Sequence, residues 1–389
     1  MKERSFWILF FTVFAAMLGL GIIGPLMPLL AKRLGATGLA LGLVFSGFSI
    51  ARSLTMPLVG HQSDRLGRKR FIVVGLLIYS LISIGYLFSH SVVELIWLRV
   101  LHGMASAMVI PIAMAYAGEL APKGHEGETM GTFSIATMAG LGVGPLLGGV
   151  LTDWLGEAAA FLSLTFLALI AAVFSYGFLP ESRSRSRAAE ISFLKGLKRL
   201  LSQRAILGVL WFRFIMTLAR GTIISFFPIY AASVGISLAK IGVLLSINML
   251  LMSFLQKFFG RLTDRIGHRL QFIRMGMMLA AISLALIPYF HHFWELFFLN
   301  VLMGLGGAIA FPAAVALMVE YGRRRGMGSA MAYFNMALST GMILAPLLSG
   351  AIMDIFHIEA IFYVNGSLIA LGVGIFTLLT HPRFQFRAH

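Results

Sequence analysis

A short charged stretch set between long apolar runs occurs twice in this chain. The first copy reads Gly60-His-Gln-Ser-Asp64-Arg65-Leu-Gly67-Arg68-Lys69-Arg70. The second begins two hundred residues later and reads Gly260-Arg-Leu-Thr-Asp264-Arg265-Ile-Gly267-His268-Arg269-Leu270. So many charges could enter hydrocarbon only at large cost, so each copy is expected to form a loop at a membrane face. Two copies at one spacing mark a tandem duplication.

Composition agrees with a membrane setting. The chain has 389 residues, of which 59% are hydrophobic and 12% charged, against about 25% charged in soluble domains. A membrane-crossing helix takes roughly 20 apolar residues, so twelve spans use most of the length and leave no room for a separate catalytic domain. The formal charge of +16 invites a nucleic-acid reading, but its distribution opposes it. With Asp64 placed in the cytoplasm, Lys32, Arg33 and Lys240 fall outside and Lys257 at a helix end. Arg52, Arg99, Arg213 and Arg220 lie within spans, and all the other lysines and arginines fall in inner loops and tails. That is the positive-inside pattern. It implies a plasma (inner) membrane protein with both termini cytoplasmic and no nucleic-acid partner. The chain has no cysteine, which excludes disulfides and thiolate metal sites.

Spans are expected at about 6–30, 40–59, 71–88, 93–118 and 129–151, with the sixth ending at Leu179. The second set is expected at 206–231, 240–259, 271–290, 293–319, 328–352 and 359–379. The domains are then a six-helix half over 1–181, a cytoplasmic linker over 182–204 and a second six-helix half over 205–389. In the linker Ile191, Leu194, Leu197 and Leu201 fall near helical spacing among basic residues. That reads as an amphipathic helix on the inner leaflet, or as a plain linker. Landmarks keep one register across the halves: Pro28 matches Pro228 at an offset of 200, and Glu94, Glu119 and Asp153 match Glu295, Glu320 and Asp354 at 201.

The first charged stretch resembles the signature loop of the major facilitator superfamily; the second resembles it in part, with His268 in place of an arginine. Arg99-Val-Leu-His102-Gly103 resembles the family's fourth-helix motif, and Pro180-Glu181-Ser182 the end of its sixth helix. Gly140, Gly144, Pro145, Gly148 and Gly149 match the fifth-helix motif of its proton-coupled exporters. The resemblance implies an all-α fold of twelve spans in two pseudo-symmetric halves around a midplane cavity. It also implies export of a small molecule in exchange for protons.

The residues themselves add roles. Gly60 and Gly67 would let the loop turn tightly. Asp64 could cap a helix beginning near Gly328, and Asp264 one near Thr129, latching the inner gate; a local ion pair with Arg68 is the simpler alternative. Arg65 and Arg265 complete the signature. Gly140, Gly144 and Gly148 share a face, as do Gly341, Ala345 and Ser349, and each face is expected to pack on a helix of the opposite half. All 15 acids fall in loops or at helix ends. Arg52, Arg99, Arg213 and Arg220 therefore suggest an electropositive cavity for an anionic or zwitterionic amphiphile, or else arginines that bond helix carbonyls. Asn300 and Asn335 are candidate cavity groups beside them. Cation exporters often carry an acid in the first span where this chain has Ala16, which leaves His102 as the candidate proton carrier, or as a packing histidine.

Gly19-Leu-Gly21-Ile-Ile-Gly24 matches a dinucleotide fingerprint as a string, but it sits inside a span and fails the context test. No metal, cofactor or enzymatic motif is expected. The reading is a monomeric secondary transporter in the lipid bilayer, moving a small molecule and protons outward. An uptake permease or lipid translocator of the same fold stays open, as does a membrane receptor or assembly factor.

Overall fold

Apolar runs of this length leave the backbone no partner but itself in lipid, so helices are the expected result. The computed structural model describes residues 2–122, 125–181, 204–325 and 327–381. Twelve of its helices are long and apolar enough to cross a membrane. In the first repeat they are α1 (Lys2–Ile22), α3 (Gly38–Leu66), α4 (Arg68–Leu87), α5 (Val92–Leu120), α6 (Glu126–Leu155) and α7 (Glu157–Phe178). A short α2 (Leu26–Arg33) follows α1. The expected first span is therefore split at residues 23–25, where Pro25 removes a donor and restricts Gly24 before it. The second repeat supplies α8 (Arg204–Ser233), α9 (Leu238–Ile266), α10 (Arg269–Leu286), α11 (Phe293–Arg325), α12 (Met327–Ile355) and α13 (Ile358–Leu379). A 3-10 turn, Ile287–Tyr289, extends α10. The segment expected to be amphipathic, 191–201, lies outside the described residues.

The charged stretches are not the loops they were expected to be. α3 stays helical through Asp64 to Leu66, and α9 through Asp264 to Ile266. The first reversal falls on Gly67, at φ +101°, and the second on Gly267, at φ +76°. Only glycine adopts such angles without strain. Gly60 is helical with open space around it and takes no part in the turn. The carboxylates of Asp64 and Asp264 thus stand on the last turns of rigid helices.

The chain forms two units by contact: Met1–Ser186 with Pro228–Ser246, and Arg187–Phe227 with Ile247–His389. The hairpin joining α8 to α9 therefore packs with the first unit, which differs from a division at 182–204. In the first unit α1 lies on α6 and α7, α3 on α5, and α4 on α5 and α7. In the second, α10 lies on α11 and α13, and α11 on α12.

Both small-residue faces pack inside their own units, not across the halves as expected. A Cβ added at Gly140 would stand 2.8 Å from Met17 Cβ, and one at Gly144 2.5 Å from Gly21 Cα. One at Gly148 would collide with the Ile22 carbonyl. The second unit repeats the seam: Gly341 meets Thr217, Gly221 meets Ala345, and the hydroxyls of Ser349 and Thr222 are 3.0 Å apart. Residues 17, 21 and 22 map onto 217, 221 and 222, so the duplication has kept these contacts even where the residues have changed.

Candidate functional site

The signature residues form one charge cluster in each unit. Arg68, 6% exposed, puts Nη2 2.9 Å from Asp64 Oδ1 and 2.7 Å from Glu119 Oε1, and its Nε donates to the same Glu119 oxygen at 3.0 Å. In the second unit Arg269 places Nη2 3.2 Å from Asp264 Oδ1 and Nη1 3.1 Å from Glu320 Oε2. The second copy resembles the signature only in part, with His268 where the first has Arg68. The extra residue instead moves the arginine one place on, and Arg269 makes the contacts that Arg68 makes. Asp64 and Asp264 are thus seen in the local pairs, the simpler of the two expectations for Asp64. Arg65 and Arg265 are exposed. The first unit adds a clasp of its own, in which Glu181 Oε1 accepts from Lys69 N at 3.0 Å, just past the Gly67 turn.

Within the first unit, α3, α4 and α5 bring Arg52, Tyr79, Tyr86, Arg99, His102 and Ser106 together. Arg99, 5% exposed, lies over the Phe48 ring at 4.5 Å and the Phe45 ring at 5.4 Å, and its Nε donates to the Val44 carbonyl at 3.3 Å. It therefore holds α5 to α3 and does not line an open cavity. His102 is 0% exposed. Its Nδ1 is 2.9 Å from the Tyr86 hydroxyl, and the Tyr79 ring stands edge-on at 4.4 Å. His102 Nε2 is buried with no hydrogen-bond partner among the described residues. Arg52 differs from its neighbours. It sits at the middle of α3, partly exposed, with no hydrogen bond or ion pair to any described residue.

The second unit shows the same division of roles. Arg213 lies 4.8 Å from both the Phe311 and the Phe334 ring, with Nε buried and unpartnered. Two turns on, Arg220 is partly exposed and makes no hydrogen bond or ion pair with any described residue. Asn300 is 1% exposed; its Nδ2 donates to the Leu296 carbonyl at 2.9 Å, and its own carbonyl accepts from Asn248 at 3.2 Å. Its Oδ1 is buried with no hydrogen-bond partner among the described residues. Asn335 is exposed on α12.

Gly149 and Pro145 face the hairpin of the first unit. A Cβ on Gly149 would strike the Leu238 carbonyl, and one on Gly242 the Pro145 carbonyl. Leu146 N donates to Ser246 Oγ at 3.0 Å, and Ala239 N donates to Asp153 Oδ2 at 2.9 Å. A carboxylate at a helix N-terminus satisfies an orphan donor and complements the dipole. Sequence reasoning gave this role to Asp64 and missed it at Asp153. It also missed Tyr86 and the phenylalanines under Arg99 and Arg213. For Arg99 the available signal was Phe45 and Phe48, one helical turn apart.

Over residues 9–217 and 209–386 the chain matches the model of the Major Facilitator Superfamily. It is 30% identical to an uncharacterised MFS-type transporter of Methanocaldococcus jannaschii, covering 98% of this chain and 99% of that one. It is 28% identical to a multidrug resistance efflux pump PmrA homologue of Lactococcus lactis, covering 97% and 93%. In fold it matches a bacterial homologue of the lysosomal transporter Spinster, solved inward-facing and unoccupied, with a TM-score of 0.83 at 12% identity and coverage of 100% and 99%. A duplicated twelve-span chain with such relatives is a transport protein and not an enzyme: it belongs to the Major Facilitator Superfamily and resembles members of it that are named as drug exporters.

Proposed function

We propose that this chain exports a small amphiphile bearing negative charge, by alternating access, with the Asp64 face toward the cytoplasm. One observation carries the charge of the substrate. Arg52 and Arg220 stand mid-helix, partly exposed, without a hydrogen bond or ion pair to any described residue. A guanidinium kept in a span without a counter-charge is costly unless a ligand or water meets it. The fork suits carboxylate, sulfonate or phosphate groups. Arg99 and Arg213, which are already stacked on rings, serve as supports. Export is supported by the resistance and efflux names of the relatives.

Exchange for protons is the companion expectation from the α6 motif, and His102 is the group that would carry it. That role requires the imidazole to meet water during the cycle, and here it is 0% exposed. The test of the anionic reading is thermal unfolding of the purified chain with taurocholate, an amphiphilic sulfonate, against ethidium, a cation. Taurocholate should stabilise the wild type and lose its effect on Arg52→Ala and Arg220→Ala. Equal stabilisation of all three proteins would overturn the assignment, and so would stabilisation by ethidium alone.

A further inference from the structure

We infer that an exposed strip on the inner half of α9 is the docking surface on which the anionic amphiphile is gathered before it is transported. The inference rests on the anionic-substrate reading above and adds where the substrate first lands. Phe254, Phe258, Arg261 and Arg265 recur at steps of four, three and four residues, with Lys257 beside Phe258, which is the spacing of one helix face. All five are exposed, Phe254 at 77% and Phe258 at 59%. All five belong to the second unit.

The cations repel one another. Lys257 with Arg261, and Arg261 with Arg265, are like-charge pairs four residues apart, an arrangement that destabilises a helix. Asp264, the acid next to Arg265, is held by Arg269. The fold does not demand the three charges. Two hundred residues earlier α3 carries Leu54, Pro57, Leu58, His61 and Arg65 at the same positions, so only Arg265 belongs to the shared signature. An anion lying along the strip relieves the repulsion, and the two phenylalanine rings offer its apolar body a surface.

Depth along α9 suits a solute better than a membrane lipid. Counted from Leu238, roughly 20 residues cross the hydrocarbon. That count sets Lys257 at the inner boundary of the hydrocarbon and Arg261 and Arg265 among the headgroups. A phospholipid headgroup stays in its own layer and meets the two arginines there. Lys257 and Phe254, one turn and two turns deeper, serve a molecule that moves further in. Because α9 comes six spans after α3, its charged end lies on the face of Asp64, which the proposed orientation makes cytoplasmic.

The test is uptake of radiolabelled taurocholate by the full chain in phosphatidylcholine vesicles with an acidic interior. The wild type is compared with a variant carrying Lys257→Gln, Arg261→Gln and Arg265→Gln. The variant should raise KM about tenfold, because attraction by charge acts on encounter, and should leave kcat within about twofold. Added salt should raise the wild-type KM and leave that of the variant unchanged. A variant with Lys257→Arg, Arg261→Lys and Arg265→Lys should behave as wild type, and Lys257→Gln alone should raise KM about threefold. Unchanged KM and salt response in both glutamine variants would overturn the inference. So would a difference that appears only when phosphatidylglycerol is added, which would assign the strip to lipid. Saturating taurocholate should still stabilise the triple variant against heat, since Arg52 and Arg220 are intact. If taurocholate neither stabilises nor crosses with the wild type, the anionic reading falls and the strip's role falls with it.

Discussion

Arg99 and Arg213 show how a span accommodates a guanidinium without a carboxylate: they lay it on aromatic faces, and Arg99 adds a bond to a helix carbonyl. Arg99→Lys keeps the charge but loses the planar fork, the stacking on Phe48 and the bond to Val44. A loss of about 1–2 kcal/mol is expected, read as a lower unfolding midpoint in detergent. Arg52→Ala removes no hydrogen bond or ion pair and should unfold within about 0.5 kcal/mol of the wild type while losing transport. A large loss at Arg52 would show that it is structural after all. Contrasts between arginines were only partly legible in the sequence, which sets Arg52 and Arg220 nearly central in their spans and Arg213 nearer the inner face. What separates them is which rings the tertiary fold places beneath them, and helical periodicity carries little of that. His268 is the opposite case. The letters showed a partial motif and a one-residue shift of register, and the contacts with Asp264 and Glu320 show Arg269 taking up the role of Arg68.

Helices were read well and their ends badly, for a physical reason. Charge marks where a chain leaves hydrocarbon, but a helix persists beyond that point as long as its backbone bonds do. Thus α3 and α9 run on through Asp64 and Asp264, and the turn falls on a positive-φ glycine. The α1–α6 seam gives a sharp test of packing. Gly148→Ala would drive a Cβ into the Ile22 carbonyl, which backbone cannot yield cheaply. It should cost about 1–3 kcal/mol. Gly131→Ala, also in α6 but with nothing within 4 Å, should be neutral or slightly stabilising. Thermal unfolding of the pair checks both, and equal midpoints would refute the seam. The end of α6 supplies a second test. Asp153→Ala removes the acceptor for Ala239 N and should cost about 0.5–2 kcal/mol. The chain has no cysteine of its own, so Ser246→Cys gives a clean thiol. Its labelling should quicken when Asp153→Ala loosens the hairpin, whereas an unchanged rate would show that the cap holds nothing.

On the scale of the whole molecule the duplication explains more than topology. Matched contacts recur in both units: Arg68 with Glu119 and Arg269 with Glu320, Gly21 with Gly144 and Gly221 with Ala345. The repeat was legible because polar landmarks in apolar sequence are few and each is under its own constraint. The grouping of the Pro228–Ser246 hairpin with the first unit was not legible, because nothing in its letters separates it from the rest of the second repeat. That grouping makes a prediction about folding. Residues 1–186 alone lack a hairpin whose glycine and serine contacts cover α6, and they leave the Asp153 carboxylate without its donor. Expressed alone, this fragment should be less stable than when co-expressed with residues 187–389. The cut falls between repeats, where a break in the chain is tolerated if the packing re-forms. Co-purification of the two pieces, with an unfolding midpoint near that of the intact chain, is the expected result. A fragment 1–186 that is monodisperse by itself, with the midpoint of the complex, would show that the hairpin contributes nothing to the first bundle.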